Sequence, residues 1–237
     1  VCSSDLVAVL GSGSSAMQSS PEIAKQATQL TMFQRTPNFS IRAHNGPEPQ
    51  RVLDDFWADR DGFRQAQRES VAGVKHTPTT VSALSVSDEE RNRVYEEAWQ
   101  HGGLVEFLGS FMDHMTSPVA NEYLSEFVRN KIRSMVNDPE TAEDLCPKTF
   151  PIGTKRLCVD TGYYSTYNLA HVRLVNIRKH PIKTITEKGL DTVDESFEFD
   201  AIVFATGFDA MTGAMVNVNI RSEEHTSELQ SRLHLVC

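Results

Sequence analysis

Two short clusters in this chain carry residue types that could do chemistry. The first is Gly11-Ser12-Gly13-Ser14-Ser15-Ala16, which follows the apolar run VAVL at 7–10. Small residues at GxGxxG/A spacing suit a loop that wraps a phosphate. Gly11 permits a tight turn, Gly13 lets backbone N–H groups reach a pyrophosphate, and Ala16 lets a helix pack closely on the strand. The helix start adds a partial positive charge facing that phosphate. Gln18, in the first turns of the same helix, is grouped with the loop. The second cluster is Gln34-Arg35-Thr36, about twenty residues further on. A site for NAD places a carboxylate there, to bind the ribose 2′-hydroxyl. Here no acid is present, and Arg35 offers a forked cation suited to a 2′-phosphate. The loop alone predicts a dinucleotide; with Arg35 it predicts NADPH.

Two weaker features lie downstream. Lys155 and Arg156 are adjacent in GTKR at 153–156. By residue type alone, such a pair is most often a solvated surface pair. Thr206 and Gly207 follow the apolar run AIVF at 201–204. A glycine there allows backbone to approach a cofactor closely, or simply makes a structural turn.

These residues need elements to position them. The run at 7–10 reads as a strand buried on both faces. Residues 14–28 read as a helix with Pro21 inside it, where a kink is expected. Residues 30–34 read as a second strand. Strand, glycine turn, helix, strand opens a doubly wound α/β sheet of Rossmann type. From 46 to about 150 the pattern turns helical. Leu53, Phe56, Trp57 and Phe63 suggest one helix, and Ser87 with Glu90 forms a capping box. A further helix is expected over 104–112. Leu124, Phe127, Val128, Ile132, Met135 and Val136 follow helical spacing. Asp138-Pro139 supplies an N-cap and a first-turn proline. This helical insertion of roughly 100 residues is long enough for a small core of its own. Strand signals return at 172–177. Residues 182–186 and 197–199 read as the two arms of a hairpin, and 201–204 as a buried central strand.

Both ends read differently from the rest. VCSSDL at 1–6 and RSEEHTSELQSRLHLVC at 221–237 match translated sequencing-adapter DNA and are set aside as tails. The whole chain has 237 residues and a net charge of −9. Without the tails it stays acidic, which argues against a nucleic-acid binder. The tails hold Cys2 and Cys237, leaving Cys146 and Cys158, which lack the spacing of a zinc site or disulfide framework. They are expected as buried or half-buried free thiols. His44, His76, His101, His114, His171 and His180 form no ligand-spaced cluster and read as structural or surface residues. No metal is expected. No apolar run approaches the ~18 residues that a membrane span needs, and a cytoplasmic location is the default expectation.

The segments VAVLGSGSSAMQSSPEIAKQATQLTMFQRTPNFS, FVRNKIRSMVNDPETAEDLCPKTFPIGTKRLCVDTGYYSTYN and FDAIVFATGFDAMTGA closely resemble the Baeyer–Villiger monooxygenases of the phenylacetone and cyclohexanone type. The resemblance spans nearly all of 7–220, and its last two segments are more specific than the glycine loop. It implies one domain for FAD, one for NADPH, and a helical insertion in the latter. On that plan 7–45 and 150–195 form the NADPH domain, 46–149 the insertion, and 196–220 the segment returning to the FAD domain. It implies a ketone and O₂ as substrates and an ester or lactone as product. NADPH reduces FAD, and a C4a-peroxyflavin attacks the carbonyl. Lys155 and Thr36 resemble partners of Arg35 on the 2′-phosphate, and Arg156 resembles the catalytic arginine beside flavin and nicotinamide. A guanidinium stays charged at any working pH, and at ~4 Å it stabilises an anion by roughly 4 kcal/mol. Thr206 and Gly207 resemble the turn toward the FAD domain. Tyr163 and Tyr164 read as packing residues. The family's first glycine loop and its fingerprint segment are not in this chain, so the chain alone is expected to be inactive. A flavin monooxygenase acting on nitrogen or sulfur, or a non-catalytic NADPH-binding module, are the alternatives.

Overall fold

The computed structural model describes residues 5–43, 45–48, 50–70, 73–74, 79–208 and 213–218. His44, His76, Cys2, Cys237 and the tail at 221–237 lie outside these. The chain divides into two compact units, 1–205 and 206–237.

The first unit is mixed α/β. Strand β1 (Leu6–Leu10) leads through the glycine loop to α1 (Ser14–Ala24) and then β2 (Gln29–Gln34). With β5 (Val172–Asn176) and β9 (Ala201–Phe204) they form a parallel sheet of order β5-β2-β1-β9. A strand covered on both faces must be apolar throughout. Accordingly Val7, Ala8 and Val9 of β1 are buried, as are Leu30, Met32 and Phe33 of β2. The ladder begins at Leu6, whose N–H donates to Asp200 Oδ2 at 2.8 Å. Helix α1 stops at Ala24, short of Thr28, because the N–H groups of Thr28 and Gln29 turn to the Asp5 carbonyl and enter the sheet. Pro21 lies inside α1, just after Ser19 and Ser20, whose hydroxyls bond the carbonyls of Ser15 and Ala16.

Helices fill the middle of the chain. Where one helix is predicted around Phe56 and Phe63 there are two, α2 (Gln50–Ala58) and α3 (Arg60–Glu69). Asp59 separates them, since its carboxylate accepts the Gly62 N–H at 2.9 Å and caps α3. Ser87 caps α4 (Asp88–His101) as its sequence pattern predicts, accepting the Glu90 N–H at 3.2 Å. Helix α5 (Leu104–Leu108) is shorter than the expected 104–112 because it is capped at Gly109, whose N–H closes on Val105 at 2.8 Å. Helix α6 (Pro118–Met135) buries Leu124, Val128 and Ile132, and Asp138 caps α7 (Pro139–Leu145).

Among the described residues these helices do not enclose a separate core. Tyr95, Leu124 and Ile132 belong to the same buried cluster as Val9, Met17 and Met32. Helix α8 (Tyr163–Thr166) joins the layers, because both α1 and α6 pack against it. Tyr163 and Tyr164 are buried there, in the packing role expected of them.

Two further pairings depart from the sequence reading. Strands β3 (Ser40–Arg42) and β4 (Cys158–Asp160) pair in parallel and were not predicted. Three residues are too few to show a period. The hairpin expected between 182–186 and 197–199 is instead a three-stranded meander. Strand β7 (Gly189–Thr192) lies between β6 (Ile182–Thr186) and β8 (Ser196–Glu198). With one aliphatic residue in GLDT, β7 carries no apolar alternation. Strand β9 is not central either. Among the described residues it pairs with β1 alone, and Phe204 is 60% exposed at its end.

In the second unit, Thr206 and Gly207 begin a turn and α9 (Gly213–Val216) follows. No described helix is long and apolar enough to cross a membrane.

Candidate functional site

The glycine loop occupies the turn between β1 and α1. Gly11 adopts φ +132°, and a Cβ there would fall on the Ala205 carbonyl oxygen. Its N–H donates to Phe33 at 3.0 Å, while the Ala205 N–H donates to Leu10 at 2.8 Å. Glycine is therefore demanded where β9 crowds the end of β1. Gly13 is different, with open space where a Cβ would stand. It is the N-cap of α1 and offers no side-chain cap, so the first-turn N–H groups of α1 face a clear approach. Ala16 is fully buried, as close packing of α1 on the sheet requires. Ser12 donates to the Thr36 carbonyl at 2.6 Å and so ties the loop to the end of β2. Ser15 is exposed. Gln18 is also exposed, and its amide donates to the Val159 carbonyl at 3.2 Å.

Gln34 points inward, is buried, and donates to the Asp144 carbonyl at 2.7 Å. Arg35 is exposed, and its guanidinium makes no hydrogen bond or ion pair among the described residues. Thr36 is half-buried. Both residues are held by Arg178, which the sequence reading missed. Its Nε donates to the Arg35 carbonyl at 2.8 Å and its Nη2 to Thr36 Oγ1 at 3.1 Å. Strand β5 runs parallel to β2 with Asn176 opposite Gln34, so the residues just past both ends meet. A cation two residues beyond an anonymous strand gives no signal until that pairing is known.

The GTKR segment leads directly into β4. Lys155 and Arg156 are both exposed. The Lys155 ammonium lies 4.2 Å above the Phe150 ring, and no hydrogen bond or ion pair among the described residues joins it to the Arg35–Thr36 turn. Arg156 is likewise free of ion pairs and side-chain hydrogen bonds among the described residues. Just beyond it, the buried Cys158 thiol accepts hydrogen bonds from Ser14 Oγ at 3.3 Å and from the Asn38 amide at 3.2 Å. Ser14 and Cys158 are 144 residues apart in sequence, so this contact brings β4, which follows GTKR, to the start of α1. Burial pushes the Cys158 thiol up, and pushes the Cys146 thiol up to about 11, which leaves both protonated at neutral pH. In the second unit Gly207 has φ +103° and open space at its Cβ position, while Thr206 precedes it.

Three of the histidines have partners within the chain. His114 is buried between the Tyr95 hydroxyl at 2.9 Å and the Leu108 carbonyl at 3.1 Å. His171 bonds the Ala24 carbonyl, and His180 pairs with Asp194. Among the described residues, no group of His, Cys, Asp and Glu is placed to hold a metal.

The arrangement matches known proteins along nearly its whole length. A cyclopentanone 1,2-monooxygenase from Comamonas sp. is 37% identical over 226 residues, or 93% of this chain and 40% of the relative. A Baeyer–Villiger monooxygenase from Pseudooceanicola batsensis is 35% identical over 217 residues, or 91% of this chain and 39% of the relative. The solved structure of an oxidised steroid monooxygenase bound to NADP aligns with a TM-score of 0.84 and 46% identity, covering 91% of this chain and 41% of that one. No family model matches. The chain thus spans about 40% of the length of the curated relatives it matches. Over the stretch that it spans, the chain is similar to Baeyer–Villiger monooxygenases.

Proposed function

We propose that the chain is the NADPH-binding part of an FAD- and NADPH-dependent monooxygenase that uses O₂ to convert a ketone to an ester or lactone. On this reading, 7–45 and 150–195 form a Rossmann-like domain, 46–149 a helical insertion, and 196–220 the return to an FAD-binding domain. One observation carries the proposal. An uncapped helix start with open space above Gly13 lies beside an unpaired Arg35 at the end of β2. That cradle fits a pyrophosphate at the helix and a 2′-phosphate at the arginine.

Gly11, Ser12, Gly13, Ser14, Ser15 and Ala16 hold the pyrophosphate, with Gln18 in the next turn. Arg35 and Thr36 hold the 2′-phosphate, with Lys155 as a further cation. Thr206 and Gly207 approach FAD. When bound, NADPH supplies hydride and FAD supplies the oxygen-activating chemistry. Arg156 keeps its positive charge at any working pH and stabilises negative charge that develops at the reacting centre.

Isothermal titration of the chain with NADPH and NADH tests the binding assignment. Preference for NADPH is expected, and its absence removes the 2′-phosphate site. Product analysis of the complete enzyme tests the chemistry. An ester or lactone from a ketone is expected, whereas an N-oxide as sole product would replace this reading with nitrogen oxygenation. In that enzyme Arg156→Ala should abolish oxygenation, and ester formation at the normal rate would refute the role of Arg156.

A further inference from the structure

We propose that Arg178 is the positioning residue of the 2′-phosphate turn and supplies its second guanidinium. The proposal rests on the reading that the Arg35–Thr36 turn takes a 2′-phosphate. A short turn after a parallel strand has few bonds of its own to fix it. Here it is gripped from two sides. Ser12 donates to the Thr36 carbonyl from the glycine loop, and Arg178 donates to the Arg35 carbonyl and the Thr36 hydroxyl from the end of β5.

The donor pattern has a consequence for the ligand. Thr36 Oγ1 accepts from Arg178, which leaves its own O–H free to donate. Arg178 is exposed, so its charge faces the same solvent as Arg35. Neighbouring cations are engaged elsewhere. Lys179 pairs with Asp144 at 2.9 Å and His180 with Asp194 at 2.7 Å. No carboxylate among the described residues pairs with Arg178. Its backbone is fixed as well, since its N–H donates to Asn176 Oδ1 at 3.0 Å. Two guanidinium groups and one directed hydroxyl therefore flank a single turn, a composition suited to a phosphate dianion. The fork must reach a carbonyl and a hydroxyl at once, which a lysine ammonium on a flexible stem does poorly.

The test uses the complete chain with two probes, 2′,5′-ADP and 5′-AMP, which differ only in the 2′-phosphate. Binding is measured by titration for the wild type, Arg35→Ala, Arg178→Ala and Arg178→Lys, with a thermal melt of each. Arg178→Ala is expected to weaken 2′,5′-ADP about tenfold, the size of a charge-assisted hydrogen bond, and to leave 5′-AMP nearly unchanged. Arg178→Lys should fall between, keeping the charge and losing the fork. A merely structural role would weaken both probes together, and that outcome overturns the proposal. So does a variant with wild-type preference for 2′,5′-ADP. If Arg178→Ala melts early, the Lys variant decides, and its full wild-type discrimination overturns the fork. A wild type that does not distinguish the probes overturns the NADPH reading as well. A wild type that distinguishes them through Arg35 but not Arg178 overturns this inference alone.

Discussion

The cations of α4 and α6 and those around the glycine loop are treated in opposite ways. On α4 and α6 they are satisfied within the chain. Arg129 is buried on α6, bonded to Glu122, to Glu126 at 2.7 Å and to the Pro147 carbonyl at 3.2 Å. Arg133 bridges Glu126 and Glu143, and Arg93 bridges Glu90 and Glu97 along α4. Around the loop, Arg35 and Arg156 are exposed and without ion pairs among the described residues, and Lys155 meets only an aromatic ring. Internal pairing of the first kind holds helices together. Unpaired cations beside a helix N-terminus leave positive potential for an anion from outside. Composition treats both groups alike; only their partners separate them.

This contrast can be broken or sharpened by substitution. Gly11→Val should hurt both regions, because the side chain meets the Ala205 backbone in a strained conformation. A loss of about 4 kcal/mol or more in denaturant unfolding is expected, together with loss of dinucleotide binding. Leu124→Ala should strike the shared core and spare the nucleotide-binding turn. It should cost about 3 kcal/mol and leave the ratio of NADPH to NADH affinity intact, a ratio that titration at low temperature can read. Arg35→Ala should do the reverse. Stability should hold within about 0.5 kcal/mol while NADPH affinity falls about tenfold and NADH affinity holds. A matching fall for both nucleotides, or a clear drop in melting temperature, would falsify the division between the two regions.

Two smaller effects concern pH. Burial holds the His114 imidazole below its usual range. A base depressed in the folded state contributes stability that is present above its unfolded value, about 6.5, and lost as pH falls through the folded value. Melting curves should show this loss below about pH 6.5, and His114→Gln should flatten it. Bonds from Arg133 and Lys148 hold the Glu143 carboxyl at about 2. Its contribution is present above the usual carboxylate value and disappears as pH falls from about 4.5 toward 2. The pair is half exposed to solvent, so Glu143→Gln should cost no more than about 0.5 kcal/mol at neutral pH. A larger cost would show that the helical network is more than a set of surface pairs.

Much of the architecture was legible wherever a long pattern repeated. The buried face of α6, the caps at Ser87 and Asp138, and the β1–loop–α1–β2 order all announce themselves locally. The errors fell where the signal is short or relational. The break at Asp59, the end of α5 at Gly109 and the strand β7 each depend on a few residues. The β3–β4 pair and the edge position of β9 depend on which distant segment arrives beside them.

By itself the sequence determined the glycine loop, the missing acid after β2 and the presence of Arg35, because loop geometry and charge type are local properties. Only the tertiary structure decided that Arg178 clasps that turn and that Cys158 brings β4 to the start of α1. It also decided that Ala205 makes glycine obligatory at position 11. The physical reason is the parallel sheet. Its crossovers bring together strand ends that lie far apart in the chain, and the Arg178 and Ala205 contacts are made between such ends.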